Sequence, residues 1–164
     1  MLYLNKMKVL FLCTHNSARS QIAEGLLRHF YGEQYEVFSA GSTPTRVNPF
    51  AVQVMNEIGI NISTQRSKSI KEFQNTNIDL VVAVCRSNAK VVCPFCSIPI
   101  GSNRPKIIDE TLPEATQYLY CPFRDPSDVE GSDEEKLAAF RHTRDKIKEW
   151  ILDYFVNLKK ENLE

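Results

Sequence analysis

No surplus of either charge marks this 164-residue chain: 20 Lys and Arg stand against 20 Asp and Glu. That balance excludes a whole-molecule field able to recruit DNA, RNA or an anionic membrane, so any anion site must be built locally. No apolar run approaches the roughly 20 residues that span a bilayer. The opening Met1-Leu2-Tyr3-Leu4-Asn5-Lys6-Met7-Lys8 lacks the layout of a secretory leader. A cytoplasmic location is therefore expected, with no membrane and no nucleic-acid partner. Internal repeats and low-complexity segments are also missing. With 43% hydrophobic and 24% charged residues, the composition excludes a disordered or a collagenous chain. The length predicts one domain over 1–164, its core about 7–155.

What is present is an unusual set of thiols, at positions 13, 85, 93, 96 and 121. In a cytoplasmic chain they do not read as a static disulfide framework. Inert core residues, metal ligands and redox-active thiols remain as readings.

Hydropathy patterning places them. Lys8–Leu12, Tyr35–Ala40 and Ile78–Val84 read as buried parallel strands, and Lys106–Asp109 as a short fourth one. Helical spacing follows the first strand from Ile22 to Phe30, with Gly32 as its stop. A second helix starts at Pro49 after an Asn48 cap and ends by Gly59. Ser87–Val92 reads as a short helix. Asp133-Glu134-Glu135 opens a long last helix, with acids at the positive end of its dipole. Alternating strands and helices predict an α/β domain whose parallel sheet is covered on both faces. Ligands in such domains bind beyond the carboxyl ends of the strands, where the strand order reverses. Cys13 and Cys85 end the first and third strands. In the order 2-1-3-4 these strands are neighbours about 4.8 Å apart, close enough for the two thiols to meet.

Between the first strand and its helix runs Cys13-Thr14-His15-Asn16-Ser17-Ala18-Arg19-Ser20, a C-x5-R pattern whose intervening residues are all small or polar. A loop wrapped at a helix N-terminus turns successive backbone N–H groups inward and forms an oxyanion cradle. Arg19 adds a planar, bidentate grip, and the positive surroundings favour a nucleophilic thiolate at Cys13, to which Ser20 can donate. His15 is expected to face solvent, and His29 and His142 to lie on helix surfaces. Tyr118, Tyr120 and Phe123 are expected at a packed loop edge.

The run Val9-Leu10-Phe11-Leu12-Cys13-Thr14-His15-Asn16-Ser17-Ala18-Arg19-Ser20 resembles the signature of the low-molecular-weight tyrosine phosphatase superfamily. Ser39-Ala40-Gly41 and Asp125-Pro126 fit the same pattern. The resemblance covers residues 7 to about 155. It implies a single α/β domain with a four-stranded parallel sheet, order 2-1-3-4, helices on both faces, and Asp125 as general acid.

That superfamily holds both tyrosine phosphatases and thioredoxin-coupled arsenate reductases, and three features lean towards the reductases. Gln21 follows Arg19-Ser20 where the phosphatases usually have proline. Ser127-Asp128 stands where they have a tyrosine pair. Cys85 ends the third strand, with Cys93-Pro94 a short loop later. The likeness implies a relay. Cys13 attacks arsenate, Cys85 attacks Cys13 to release arsenite, and Cys93 carries the disulfide outward to thioredoxin or glutaredoxin, with Cys96 as a possible further redox thiol. Arg86-Ser87-Asn88 resembles the phosphatases instead, so hydrolysis of phosphotyrosine through a Cys13 phosphoenzyme is the alternative. A zinc-binding, non-enzymatic domain built on Cys85, Cys93, Cys96 and Cys121 is a minor one, weakened by gaps of 7 and 24 residues beside a single C-x2-C. Reductases of this type often hold potassium behind the cradle. Asn16, Glu24 and Ser39 fit that pattern, but Arg66 and Lys68 replace the remaining oxygen ligands and an ammonium can pair with Glu24. No metal and no cofactor are therefore expected.

Overall fold

The computed structural model describes residues 5–86 and 113–161. Four parallel strands form one sheet in the order β2-β1-β3-β4: β1 is Met7–Cys13, β2 Tyr35–Gly41, β3 Ile78–Ala83 and β4 Ala115–Tyr120. The central strand β1 pairs on both edges, and Val9, Leu10, Phe11 and Leu12 have no exposed surface. Burial on both faces is why this strand reads as a continuous apolar run rather than an alternation.

Among the described residues three helices accompany the sheet: α1 Arg19–Tyr31, α2 Pro49–Asn56 and α3 Asp133–Glu161. They pack against one another, and Tyr35 of β2 meets Phe155 of α3 edge-on at 5.1 Å. Phe38, on the other face of β2, meets Phe73 of a 3-10 turn, Ile70–Phe73, at 5.4 Å. Among the described residues, then, that second face is covered at β2 by a turn. Asn48 caps α2 as expected, its side chain accepting from Phe50 N at 2.9 Å. Gly59 takes φ +78° just beyond the helix, a conformation that glycine adopts without a Cβ penalty. Arg144 ties α2 to α3 by donating to the Val54 carbonyl at 2.7 Å and to Glu57 at 3.0 Å. One of the open carbonyls at the end of α2 is satisfied in this way.

The fourth strand departs from expectation. Lys106–Asp109 lies outside the described residues, and so does the short helix expected at Ser87–Val92. The strand beside β3 is Ala115–Tyr120, a stretch that reads as loop in the sequence. Its Thr116 and Gln117 dilute the apolar signal, because an edge strand needs burial on fewer sides. Tyr118 is a core residue rather than a loop-edge one. It is fully buried, and its hydroxyl donates to the Pro113 carbonyl at 2.8 Å. No helix of the described residues is long and apolar enough to cross a membrane.

Candidate active site

Strand order sets the location. The chain leaves β1 towards β2 on one side, while β3 lies on the other, so the crevice between the carboxyl ends of β1 and β3 is the point where the order reverses. Cys13 closes β1. Cys85 stands two residues past β3, and the ladder continues there, with Val84 N donating to Leu12 O at 2.9 Å. Both side chains are buried.

The loop 14–18 is held from outside by its carbonyls. Thr14 O accepts from Thr43 N at 2.8 Å, His15 O from Thr45 N at 3.2 Å and from Ser67 Oγ at 3.0 Å, and Ser17 O from Asn48 N at 2.9 Å. With these carbonyls turned outward, the N–H groups of His15, Ser17 and Ala18 donate to no acceptor among the described residues. Such a concave array of N–H groups at the start of α1 suits an anion. Close approach of two backbones makes this possible. A Cβ on Gly41 would stand 2.6 Å from Thr14 O and 2.8 Å from Asn16 N, so only glycine fits at the end of β2. Asn16 turns the loop with φ 46°, in the left-handed region that asparagine tolerates.

Inside the loop the Cys13 thiol has two polar partners. Asn16 N donates to Sγ at 3.2 Å, and Ser20 Oγ lies 2.7 Å from it. The Asn16 amide reaches Ser20 Oγ at 2.8 Å and Ser39 Oγ at 2.9 Å, and Ser39 Oγ donates to Glu24 at 3.3 Å. Arg19, only 6% exposed, enters from the start of α1. Its Nη2 pairs with Asp125 Oδ2 at 2.8 Å and its Nη1 donates to the Phe123 carbonyl at 3.1 Å. The other Asp125 oxygen accepts from Ser127 N at 3.0 Å and from the Ser127 hydroxyl. A cavity of about 180 Å³ opens over these groups, lined by Cys13, His15, Ser17, Ala18, Arg19, Thr45, Asp125 and Ser127. That volume suits a small tetrahedral oxyanion.

Most of the predicted loop residues thus converge on one cavity. His15, one of the loop residues, lines it half-buried, and His29 and His142 are exposed on their helices as expected. Thr45, Ser127 and the Phe123 carbonyl belong to the site without having been singled out for it. Nothing in their side-chain types signals a role, since two contribute from loops and the third through its backbone. Cys85 is disulfide-bonded, while Cys13 and Cys121 are free thiols, so the bridge involves neither of them. Cys93 and Cys96 lie outside the described residues. A zinc set would need a thiolate at Cys85, which is bridged.

Behind the cradle, Glu24 is buried and both its oxygens are engaged. Oε1 pairs with Arg28 at 3.0 Å and lies 3.9 Å from Lys68 Nζ, while Oε2 accepts from Ser39. Lys68 Nζ also donates to the Arg66 carbonyl at 2.8 Å. Burial lowers the Lys68 pKa from the usual lysine range, and Glu24 acts against that shift. The Asn16 side-chain oxygen is taken up by Gln21 and by Lys68 N. Oxygens already committed to cationic, hydroxyl and N–H donors do not fit a monovalent metal ion.

Comparison with known proteins agrees with this architecture. The low molecular weight phosphotyrosine protein phosphatase family model matches residues 8–163. An arsenate reductase of Halalkalibacterium halodurans is 41% identical over 144 residues, covering 88% of this chain and 91% of that protein. A solved arsenate reductase in the phosphate-binding state superposes with TM-score 0.64 at 30% identity, covering 92% of this chain and 98% of the other. A low molecular weight protein tyrosine phosphatase from T. tengcongensis superposes with TM-score 0.67 at 25% identity, over 93% and 99%. From the C-x5-R cradle to the sheet order, the chain belongs to the low molecular weight phosphotyrosine protein phosphatase family.

Proposed function

We propose that this protein reduces arsenate to arsenite, with Cys13 as nucleophile and an intramolecular thiol–disulfide relay as the source of electrons. One observation carries the reading: at the ends of two adjacent strands stand a free thiol in the oxyanion cradle, Cys13, and a second cysteine, Cys85, bridged to neither Cys13 nor Cys121. Ester hydrolysis needs one nucleophile and water and has no use for a second thiol. Reduction of As(V) to As(III) needs two electrons, which two thiols supply on forming a disulfide.

An oxyanion held by the N–H groups of the loop competes with Asp125 for Arg19 Nη2, which leaves the carboxyl beside the anion. Cys13 Sγ attacks arsenic, and Asp125 passes a proton to the departing oxygen, which leaves as water. Cys85 then attacks Cys13 Sγ, and the S–As bond breaks with its electron pair going to arsenic. Arsenite leaves and a Cys13–Cys85 disulfide remains. Cys93 attacks Cys85 and restores the Cys13 thiol, with Cys96 able to share the disulfide, and thioredoxin or glutaredoxin reduces the final bridge. A Cys85 bridge beside a free Cys13 suits the late stage of this sequence.

Turnover of arsenate with thioredoxin, thioredoxin reductase and NADPH, set beside hydrolysis of para-nitrophenyl phosphate, tests the reading. Arsenate-dependent NADPH oxidation is expected. Fast ester hydrolysis with no such oxidation would make the protein a phosphatase. Replacing Asp125 by alanine is expected to lower arsenate turnover by roughly 10²–10³-fold, within the usual range for a general acid. Wild-type turnover in that variant would reduce Asp125 to the cap of the turn at Pro126–Asp128, where Ser127 holds it.

A further inference from the structure

Gln21 is completely buried and lines no part of the cavity, yet its side-chain amide ties Asn16 of the loop to Gln65 and Arg66 outside it. Its Nε2 donates to Asn16 O at 3.0 Å, to Asn16 Oδ1 at 2.9 Å and to Arg66 O at 3.0 Å. Its Oε1 accepts from Gln65 Nε2 at 2.8 Å, and Gln65 Nε2 also donates to Gln21 O at 3.0 Å.

The direction of every hydrogen bond in this network follows from groups that can act in only one way. The Arg28 guanidinium has no acceptor, so the Gln65 atom that meets it at 3.3 Å must be Oε1. Gln65 therefore presents Nε2 to Gln21, and Gln21 in turn presents Nε2 to Asn16. Lys68 N, a backbone donor, meets the same Asn16 oxygen at 2.8 Å. With Oδ1 doubly occupied, the Asn16 Nδ2 must face Ser20 Oγ and Ser39 Oγ. Ser39 hands its own proton to the Glu24 carboxylate, an obligate acceptor. Ser20 Oγ thus receives a hydrogen bond from Asn16 and keeps its proton for Cys13 Sγ, 2.7 Å away. A reversed Asn16 amide would offer Ser20 an oxygen and draw that proton off the sulfur.

From this network we infer that Gln21 is a positioning residue for the Cys13 thiolate. Together with Lys68 N it fixes the Asn16 amide, and so commits the Ser20 hydroxyl to the sulfur. The inference rests on Cys13 as the nucleophile.

The test is the pH dependence of Cys13 alkylation by iodoacetamide, followed by mass spectrometry of the Cys13 peptide, in wild type and in Gln21→Met. Methionine keeps the length of the side chain and removes its donors. The expected result is a rate profile displaced to higher pH, with alkylation at pH 7 slower by about tenfold, the equivalent of one pKa unit. In a Ser20→Ala background, Gln21→Met should add no further loss, because both act through one hydroxyl. Additive losses would overturn the proposed route. A low-pH profile in wild type with no displacement in Gln21→Met would overturn the role of Gln21 and leave the nucleophile standing. A wild-type profile like that of an ordinary thiol, near pH 8.5, would overturn both. If circular dichroism shows Gln21→Met unfolded, the half-buried Gln65→Leu takes its place. Slower alkylation there supports the inference, and an unchanged profile defeats it.

Discussion

Cys13→Ser is expected to abolish arsenate reduction and any phosphate-ester hydrolysis, by about 10⁴-fold or more, as for loss of a nucleophile elsewhere. A serine hydroxyl at that position has the right size but not the chemistry. A thiol is far more acidic than an alcohol and its anion is the effective nucleophile, whereas an alkoxide is out of reach in water. Binding should survive the change. The inward N–H groups, the outward-tied carbonyls of Thr14, His15 and Ser17, and the Arg19 guanidinium do not depend on sulfur. Calorimetry with phosphate as ligand is therefore expected to give a dissociation constant within a few-fold of wild type. Turnover above about a hundredth of the wild-type rate would remove Cys13 from the nucleophile's role. Loss of phosphate binding together with turnover would instead show that the substitution had collapsed the loop.

Cys85→Ser should split the two activities that the cradle can support. Arsenate consumption is expected to stop at or below one equivalent per chain, because the Cys13–arsenic adduct has no second thiol to resolve it. Hydrolysis of para-nitrophenyl phosphate should persist at wild-type level, since Cys13, Arg19 and Asp125 are untouched. Serine at position 85 replaces a fully buried side chain by one of nearly equal size. The β3 ladder, with Val84 N on Leu12 O and Phe123 N on Val84 O, remains available to hold the site. Multiple turnover of arsenate at the wild-type rate in Cys85→Ser would show that the second electron donor lies elsewhere. A parallel loss of ester hydrolysis would point to damage at the Phe123–Arg19 contact rather than to redox chemistry.

Local chemistry alone determined much of this protein. A small, polar C-x5-R stretch between an apolar run and a helical pattern has few other uses, so the oxyanion cradle was legible residue by residue. Asn48 and the acidic opening of α3 mark their helix starts by interactions confined to a single turn. Strands β1 and β3 announce themselves by the runs Val9–Leu12 and Leu80–Val84, where burial on both faces leaves no polar residue to blur them.

Other features depend on atoms far apart in the chain, and only the tertiary structure decided them. β4 has a mixed sequence and becomes a strand through its pairing with β3. Phe123 enters the site through its carbonyl, which no side-chain reading exposes. The pairing of Glu24 with Lys68 was anticipated, but Arg28 as its nearer partner was not. Gln21, first noticed as a replacement for proline, acquires its role only when Gln65, oriented by Arg28, meets it and Lys68 meets Asn16, across up to 52 positions of sequence. The orientation of a buried amide is set by every donor and acceptor around it at once. The sequence determined which groups this protein owns, and the folded chain determined which way their protons point.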